Sequence, residues 1–270
     1  MPELPEVETT VRGLRKVLDG RRLASATPRR ADLRRPIPED LGQRMTGARI
    51  IGLGRRAKYG LIDTDRGDTL IFHLGMSGRW RIDPDEIGKH DHFILETDEG
   101  RRLSLNDPRR FGSLDLVRTD AVAIWPPFVA IGPEPLSGEV SGKWLKERFA
   151  GRMAAVKLLL LDQRIVAGLG NIYVCEALYR ARIDPRRPAG RVSRAKLDAL
   201  SDAIPAVLDD AIAAGGSTLR DFAAPDGELG YFSKTFDVYG REGKSCACGG
   251  VVRRIVQGAR STFFCPACQK

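Results

Sequence analysis

Four cysteines near the end of the chain constrain its fold more than any other feature. They stand in two short pairs, Cys246 with Cys248 and Cys265 with Cys268, separated by sixteen residues. Two such pairs on a hairpin can surround a tetrahedral Zn²⁺, and a segment this short has too small a core to order itself unaided. The spacing therefore predicts one structural zinc, and the alternative is a set of free thiols.

The first cysteine pair departs from the usual spacing of zinc ligands. Only Ala247 separates Cys246 from Cys248, whereas zinc-binding turns usually place two or more residues between their ligands. We expect this tighter turn to hold the metal less firmly than a two-residue spacer would. The remaining cysteine, Cys175, lies on the apolar side of a helical pattern and is predicted to be a core residue.

The charge balance of the chain favours an anionic partner. Its 270 residues include 44 Lys and Arg against 35 Asp and Glu, which gives a net charge of +9 and a pI near 9.6. Such an excess is typical of proteins that bind nucleic acids. No apolar run reaches the roughly 18 residues of a membrane helix, and the first residues lack the regions of a signal peptide. We therefore predict a cytoplasmic protein with no membrane partner.

Hydrophobic periodicity changes along the chain and predicts an α+β protein of several domains. A 3.6-residue repeat over residues 3–19 predicts a helix, and short apolar runs between turn residues up to about residue 118 predict an antiparallel β-sandwich. A proline-rich linker follows, and then helices over 142–161, 171–182 and 193–214. The predicted boundaries of sandwich, linker, helical domain and zinc finger are 1–120, 121–137, 138–230 and 231–270.

The first residues offer an unusual nucleophile. A proline after the initiator methionine permits removal of Met1, which exposes the secondary amine of Pro2. An α-amino group has a pKa near ~8, well below that of lysine, and is a usable nucleophile at neutral pH. Glu3 lies beside it and can act as an acid or a base. In most proteins residue 2 is simply a terminus, and these residues alone leave that alternative open.

Three loop residues are candidates for contact with DNA. Met76, Arg109 and Phe111 fall on turns that follow apolar strands. Side chains of these types can wedge into a duplex from which a base has been extruded. Ordinary packing is the simpler interpretation of Met76 and Phe111.

Asn171 and Arg260 are candidate contacts with an anionic partner, whereas two other basic residues give no such signal by themselves. Asn171 follows a glycine pair at the start of a predicted helix, a position suited to binding phosphate. Arg260 gives the predicted finger a basic turn, which favours nucleic acid. Lys58 and His73, taken alone, indicate only surface basic groups.

Six segments of the chain occur in an order that identifies a family. They are Met-Pro-Glu-Leu-Pro-Glu-Val-Glu-Thr at 1–9, Arg-Arg-Ala-Lys-Tyr at 55–59, His-Leu-Gly-Met-Ser-Gly at 73–78, Asp-Pro-Arg-Arg-Phe-Gly at 107–112, Gly-Leu-Gly-Asn-Ile-Tyr at 168–173 and the closing cysteine pairs. Together they resemble bacterial formamidopyrimidine-DNA glycosylase, a member of the Fpg/Nei family. The resemblance extends from residue 2 to residue 268.

The resemblance implies a base-excision repair enzyme with two activities, a glycosylase and an abasic-site lyase. It would remove oxidised purines such as 8-oxoguanine and formamidopyrimidines from duplex DNA as a monomer, and then cleave the strand. The Pro2 nitrogen would attack the sugar C1′ and form an iminium that drives β- and δ-elimination, with Glu3 as acid and base. The implied fold is a β-sandwich with an N-terminal helix, then a helical domain with a helix-two-turns-helix motif and a zinc-finger hairpin.

The resemblance also assigns roles to the remaining site residues. Glu6 would be a supporting carboxylate, and Lys58 and Arg260 would complete the catalytic set. The residues implied to contact DNA are His73 and Asn171 at phosphates, Met76, Arg109 and Phe111 in the gap left by the flipped base, and Lys157 near the lesion pocket. The loop over residues 215–231 would close over that base.

Two alternatives to this function remain at the level of sequence. One is an endonuclease VIII-like glycosylase for oxidised pyrimidines, and the other is a catalytically inactive protein of the same fold that binds damaged DNA. Leu4, the motif around Lys58 and the full-length loop after Gly216 favour the purine enzyme. Pro2, Glu3 and Lys58 argue against an inactive protein.

Overall fold

In a computed structural model of the chain, the described residues are 1–217, 224–225, 227 and 230–270. They fall into two units. The N-terminal unit comprises Met1–Val129 with Ala214–Tyr231, and the C-terminal unit comprises Ala130–Ala213 with Phe232–Lys270. Within the described ranges, no helix combines the length and the apolar character needed to cross a membrane.

The N-terminal unit consists mainly of strands. Its elements, in chain order, are α1 (Leu4–Leu18), β1 (Leu23–Pro28), α2 (Leu41–Met45), β2 (Ile50–Arg56), β3 (Tyr59–Thr64), β4 (Asp68–His73), β5 (Arg79–Ile82), β6 (Asp91–Thr97), β7 (Arg102–Asn106), β8 (Ser113–Arg118) and α3 (Pro126–Val129). A 3₁₀ helix at Thr119–Ile124 precedes α3.

Two antiparallel four-stranded sheets form the body of this unit. Their strand orders are β1-β6-β7-β5 and β2-β3-β4-β8. Both sheets and α1 contribute to one apolar core, in which Phe72 of β4 and Trp80 of β5 lie 5.6 Å apart between ring centroids. The 3.6-residue repeat of α1 places one face of that helix in the same core. The predicted sandwich with an N-terminal helix is confirmed.

The sequence pattern did not predict the strands β1 and β5 or the short helix α2 of the N-terminal unit. The strand β5 is Arg-Trp-Arg-Ile, in which two apolar residues are too few to show a strand period, and β1 has only small or polar residues after Leu23. The five-residue helix α2 is too short for a helical repeat. The stretch predicted to be a linker also contains ordered structure, because α3 lies within it and Trp125 packs edge-on against Tyr59.

The C-terminal unit is helical and ends in a β-hairpin. Its elements are α4 (Gly142–Phe149), α5 (Val156–Leu160), α6 (Asn171–Arg180), α7 (Arg194–Ala213), β9 (Arg253–Gln257) and β10 (Arg260–Phe264). The long helix α7 packs against α4 and α6, and β10 packs against α6. The helical domain and its closing hairpin are as predicted.

The prediction of one helix over 142–161 is wrong. The helix α4 ends at Phe149 and α5 begins at Val156. Between them Gly151 has φ +69°, a left-handed conformation that commonly ends a helix. In contrast, α7 continues as one helix through Pro205.

Candidate active site and metal centre

The start of the chain is held by its own first helix. Pro2 and Glu3 are buried, and Glu3 is the N-cap of α1. The backbone N–H of Glu3 donates to Oε2 of Glu6 at 2.8 Å. The other carboxylate oxygen of Glu6 accepts both the backbone N–H of Ser217, at 2.8 Å, and its hydroxyl, at 2.9 Å. Glu6 therefore joins the start of the chain to the segment at Ser217.

Of the loop predicted to close over a flipped DNA base, the structure describes residues 215–217, 224–225, 227 and 230–231. Ser217 and Tyr231 form an antiparallel bridge, and the N–H of Tyr231 donates to the carbonyl of Ala214 at 3.0 Å. Residues 218–223, 226 and 228–229 lie outside the described residues. The closure of this loop stays a prediction.

Lys58 lies at the tip of the β2–β3 hairpin. Arg56 and Tyr59 form the last strand pair, and Ala57 turns the chain with φ +52°. Only 8% of Lys58 is exposed, so it is not the ordinary surface group that its immediate sequence indicates. Because lysine is rarely buried without a polar role, this position supports a functional one.

A small basic cavity of about 210 Å³ lies beside the end of β4. It is lined by Arg34, Arg35, Tyr59, His73 and Ser113. Nδ1 of His73 accepts the backbone N–H of Gly75 at 3.0 Å, so the ring proton of neutral His73 is on Nε2.

The imidazole of His73 is neutral at physiological pH. Burial lowers its pKa to about 4, and the positive charges of Lys58, Arg34 and Arg35 act in the same direction. This side chain can therefore contact an anion as a neutral N–H donor, while the neighbouring cations supply the positive charge.

Two loops of the N-terminal unit carry exposed side chains of the kinds that enter a base stack. Met76, between β4 and β5, is 37% exposed, and Phe111, between β7 and β8, is 43% exposed. The guanidinium carbon of Arg109 lies 4.8 Å from the centroid of the Phe111 ring. Neither Met76 nor Phe111 is part of the core, which removes the simpler packing interpretation.

Asp107 joins these two loops. It is completely buried, its Oδ1 accepts the hydroxyl of Ser77 at 2.7 Å, and its Oδ2 accepts the N–H of Gly112 at 2.8 Å. Gly75 permits the close approach of the loops, because a Cβ there would lie 2.3 Å from the carbonyl carbon of Phe111. One carboxylate thus fixes the loop that carries Met76 to the loop that carries Arg109 and Phe111.

The C-terminal unit positions its own candidate contacts around β10. Arg260 is exposed at the start of that strand. Asn171, the first residue of α6, donates from Nδ2 to the carbonyl of Ser261 at 2.9 Å and to the Tyr239 hydroxyl at 3.3 Å. The amide of Asn171 therefore supports the strand that presents Arg260.

The sulfur atoms of the four paired cysteines lie as close together as the ligands of a single metal ion. All four lie within 4.8 Å of one another, and Sγ of Cys248 is 3.4 Å from that of Cys246 and 3.5 Å from that of Cys265. Around a zinc ion with Zn–S bonds of about 2.3 Å, tetrahedral sulfurs are about 3.8 Å apart. A disulfide would need sulfurs about 2.05 Å apart. The four residues fit one tetrahedral Zn²⁺.

The chain matches three domain families in sequence. Residues 1–114 match the formamidopyrimidine-DNA glycosylase N-terminal domain, and residues 131–223 match the H2TH domain of the same enzyme. Residues 247–270 match a zinc finger found in FPG and IleRS. The chain belongs to the formamidopyrimidine-DNA glycosylase family. It is accordingly a DNA-repair enzyme that binds DNA and combines glycosylase and abasic-site lyase activities, with one structural zinc at the four cysteines.

Relatives of the formamidopyrimidine-DNA glycosylase family match over the whole chain. The enzyme of that name from Novosphingobium aromaticivorans is 70% identical, and that from Rhizorhabdus wittichii is 68% identical, each over 100% of both chains. A Lactococcus lactis FPG variant in complex with a Fapy-dG containing DNA has a TM-score of 0.92 at 35% identity, over 100% of both chains. The MutM (FPG) protein of Thermus thermophilus has a TM-score of 0.89 at 41% identity, over 99% of this chain and 98% of that one.

The predicted site residues divide between the two units. The N-terminal unit contains Pro2, Glu3, Glu6, Lys58, His73, Met76, Arg109 and Phe111, and the C-terminal unit contains Lys157, Asn171, Arg260 and the four cysteine ligands. The fifth cysteine, Cys175, is buried in the core as predicted.

The direct DNA contact predicted for Lys157 is corrected by the structure. This side chain is completely buried, and its Nζ donates to Oγ1 of Thr262 at 2.6 Å and to the carbonyl of Ser261 at 3.1 Å. An amino group with no exposed surface cannot touch a ligand at the surface. Lys157 instead supports β10 from inside the C-terminal unit.

Among the described residues, four buried carboxylates were not predicted from the sequence, Asp68, Asp91, Asp107 and Glu176, and two of them support segments next to candidate site residues. One is Asp107, which looks like a common Asp-Pro turn in the sequence. The other is Glu176 of α6, which accepts the backbone N–H groups of Asp237, Val238 and Tyr239 at 2.8–3.1 Å. Burial raises the pKa of Glu176, and these three hydrogen bonds oppose that rise. Neither residue has a sequence signal, because burial of a carboxylate is decided by distant parts of the chain.

We expect Asp107→Asn to loosen the two exposed loops. An amide has one accepting oxygen in place of two, so either the Ser77 hydroxyl or the Gly112 N–H loses its acceptor. A buried donor left without an acceptor costs about 1–3 kcal/mol. The free energy of unfolding in urea should fall by about that amount, and affinity for lesion DNA should fall with it. Asp98→Asn, at an exposed turn of the same unit, is the control. Equal stability and affinity of the two variants would contradict the role of Asp107.

Proposed function

We propose that this enzyme excises the oxidised purines 8-oxoguanine and formamidopyrimidine from duplex DNA and then cleaves the strand by β- and δ-elimination. The observation that carries the proposal is the set of exposed side chains Met76, Arg109 and Phe111 on two loops joined by Asp107. An aromatic ring and a thioether can fill a stack from which a base has been flipped, and an arginine can donate to the base left opposite. The complex of the similar Lactococcus lactis protein with Fapy-dG DNA supports the lesion class.

The proposed chemistry uses residues at the start of the N-terminal unit. Once Met1 is removed, the Pro2 nitrogen attacks the sugar C1′, and the bond to the damaged base breaks with its electron pair leaving on the base. Glu3 donates a proton to the sugar ring oxygen as the ring opens. The resulting iminium of a secondary amine is positively charged without a further proton, and it makes the C2′–H bond acidic. Glu3, left as a carboxylate after ring opening, accepts the C2′ proton, and the electron pair of that bond forms the C1′–C2′ enamine, which expels the 3′-phosphate from C3′. Loss of the 5′-phosphate follows by δ-elimination.

Contacts with DNA phosphates are assigned to basic and neutral donors of each unit taken by itself. Lys58 and Arg260 supply positive charge, and His73 supplies an N–H from its neutral ring. Asn171 is proposed to help in this contact, in addition to its support of β10. The zinc, when bound, orders the hairpin that presents Arg260 and supplies no chemistry to the reaction.

The proposed lesion class can be tested with four duplexes that differ only at one position. They contain 8-oxoguanine, a formamidopyrimidine, an oxidised pyrimidine or an undamaged guanine, and strand cleavage is measured under single-turnover conditions. We expect rapid cleavage of both purine lesions, slower cleavage of the pyrimidine lesion and none of the undamaged duplex. Preferred cleavage of the oxidised pyrimidine would indicate an endonuclease VIII-like enzyme, and binding without cleavage would indicate an inactive protein.

A further inference from the structure

Helix α6 ends in a backbone conformation that its sequence does not favour. Arg182, two residues after the last helical residue, has φ +55°. This left-handed conformation at the end of a helix is usually occupied by glycine, because a Cβ is strained there.

The side chain of Arg182 contacts the cysteine cluster. Its guanidinium carbon lies 5.2 Å from the centroid of the Tyr179 ring, and the guanidinium is close enough to the Cys268 thiol for that group to raise the pKa of Arg182. Tyr179 is buried, and its hydroxyl lies 3.3 Å from Sγ of Cys246. The end of α6 therefore places two donors against two different cysteines of the cluster.

The direction of these hydrogen bonds follows from the chemistry of the ligands. A thiolate bound to zinc has no proton to donate, so the Tyr179 hydroxyl must donate to the sulfur of Cys246, and the Arg182 guanidinium, which only donates, is the neighbouring group that can donate towards Cys268. Four thiolates and one Zn²⁺ carry a net charge of −2, and donors at the sulfurs stabilise that charge. The guanidinium also brings one positive charge of its own.

One of these donors contacts the cysteine pair that has an unusually short spacer, and the other lies beside the second cysteine pair. Tyr179 contacts Cys246, the first ligand of the pair that has only Ala247 as its spacer, and Arg182 contacts Cys268, the last ligand of the other pair. Both donors belong to one helix end, so the first and last ligands are held against the same support. We propose that Tyr179 and Arg182 form an outer hydrogen-bonding shell that slows zinc loss from this four-cysteine site.

Zinc release to an excess of chelator tests the proposal on the full-length, zinc-loaded protein. Tyr179→Phe keeps the ring and removes only the hydroxyl, and Arg182→Gly removes the guanidinium while relieving the left-handed strain. Loss of an outer hydrogen bond typically weakens metal binding by about 10–100-fold, so each variant should release zinc about tenfold faster or more. Arg182→Gly should do so without a lower thermal midpoint in saturating zinc, because glycine suits this backbone conformation.

Arg180→Ala is the matched control. Arg180 belongs to the same helix and pairs with Asp210 at 2.7 Å, so its loss should leave the release rate unchanged. Cobalt substitution adds a readout of the sulfurs themselves. Removal of a donor raises the energy of sulfur electrons, so the sulfur-to-cobalt charge-transfer band should move to longer wavelength in Tyr179→Phe and Arg182→Gly but not in Arg180→Ala. Wild-type release rates and unshifted bands in the two shell variants, or equal acceleration in the control, would overturn the proposal.

Discussion

Once Met1 is removed, borohydride is expected to trap the enzyme covalently on DNA that contains 8-oxoguanine or an abasic site, with Pro2 as the modified residue. Its secondary amine would condense with C1′ to an iminium, and hydride addition to that carbon leaves a stable tertiary amine. Pro2 is buried beside the N-cap of α1, so the reacting nitrogen would be held in place before the substrate binds. Proteolysis and mass spectrometry of the adduct identify the residue that carries the sugar.

A chain that retains an N-terminal tag is the control for this experiment. Its Pro2 nitrogen remains an amide, which is not nucleophilic, so trapping and strand cleavage should fall to background while lesion binding persists. The competing nucleophile is Lys58, which is also buried in the N-terminal unit. An adduct on Lys58, or undiminished trapping by the tagged chain, would refute the assignment to Pro2.

The sequence predicted those helices and strands whose hydrophobic pattern extends over enough consecutive residues to show its period. The helix α1 shows a 3.6-residue repeat over its whole length, and β4 is an apolar run bounded by turn residues. The strand β5 could not be predicted, because its two arginines and two apolar residues form a strand only by pairing with β7. The end of α4 before Gly151 could not be predicted, because an isolated glycine is tolerated in many helices.

The candidate site was predictable where a residue type implies chemistry and not where burial decides its role. Paired cysteines indicate a metal from the sequence alone, and their four sulfurs cluster as predicted. The role of Pro2 as the nucleophile stays a prediction. Lys157 has the residue type of a phosphate contact, yet it is completely buried, and only the packing of β10 shows this. Arg182 stands where a helical pattern would predict glycine, and its contact with Cys268 joins residues more than 80 positions apart.

Glu3→Gln is expected to reduce excision of 8-oxoguanine by about 10²–10⁴-fold, the range typical of general acid–base catalysis. The variant keeps the size of the side chain and removes its ionisable group. The start of α1 should persist, because glutamine keeps a side-chain oxygen that can accept the backbone N–H of Glu6, and the backbone N–H of residue 3 still donates to the Glu6 side chain. Affinity for lesion DNA, measured by equilibrium binding, should therefore be unchanged.

A comparison of two substrates separates the proposed acid from a structural residue. Excision of 8-oxoguanine requires a proton on the sugar ring oxygen, whereas a preformed abasic site already presents an aldehyde to Pro2. The Glu3→Gln variant should consequently lose far more activity on 8-oxoguanine than on abasic DNA, and borohydride should still trap it on the abasic site. Glu8→Gln is the control, because Glu8 belongs to the same helix and pairs with Arg12 and Arg55, and it should keep full turnover. Equal losses on both substrates, or near-normal excision by Glu3→Gln, would show that Glu3 does not act as the acid that opens the sugar.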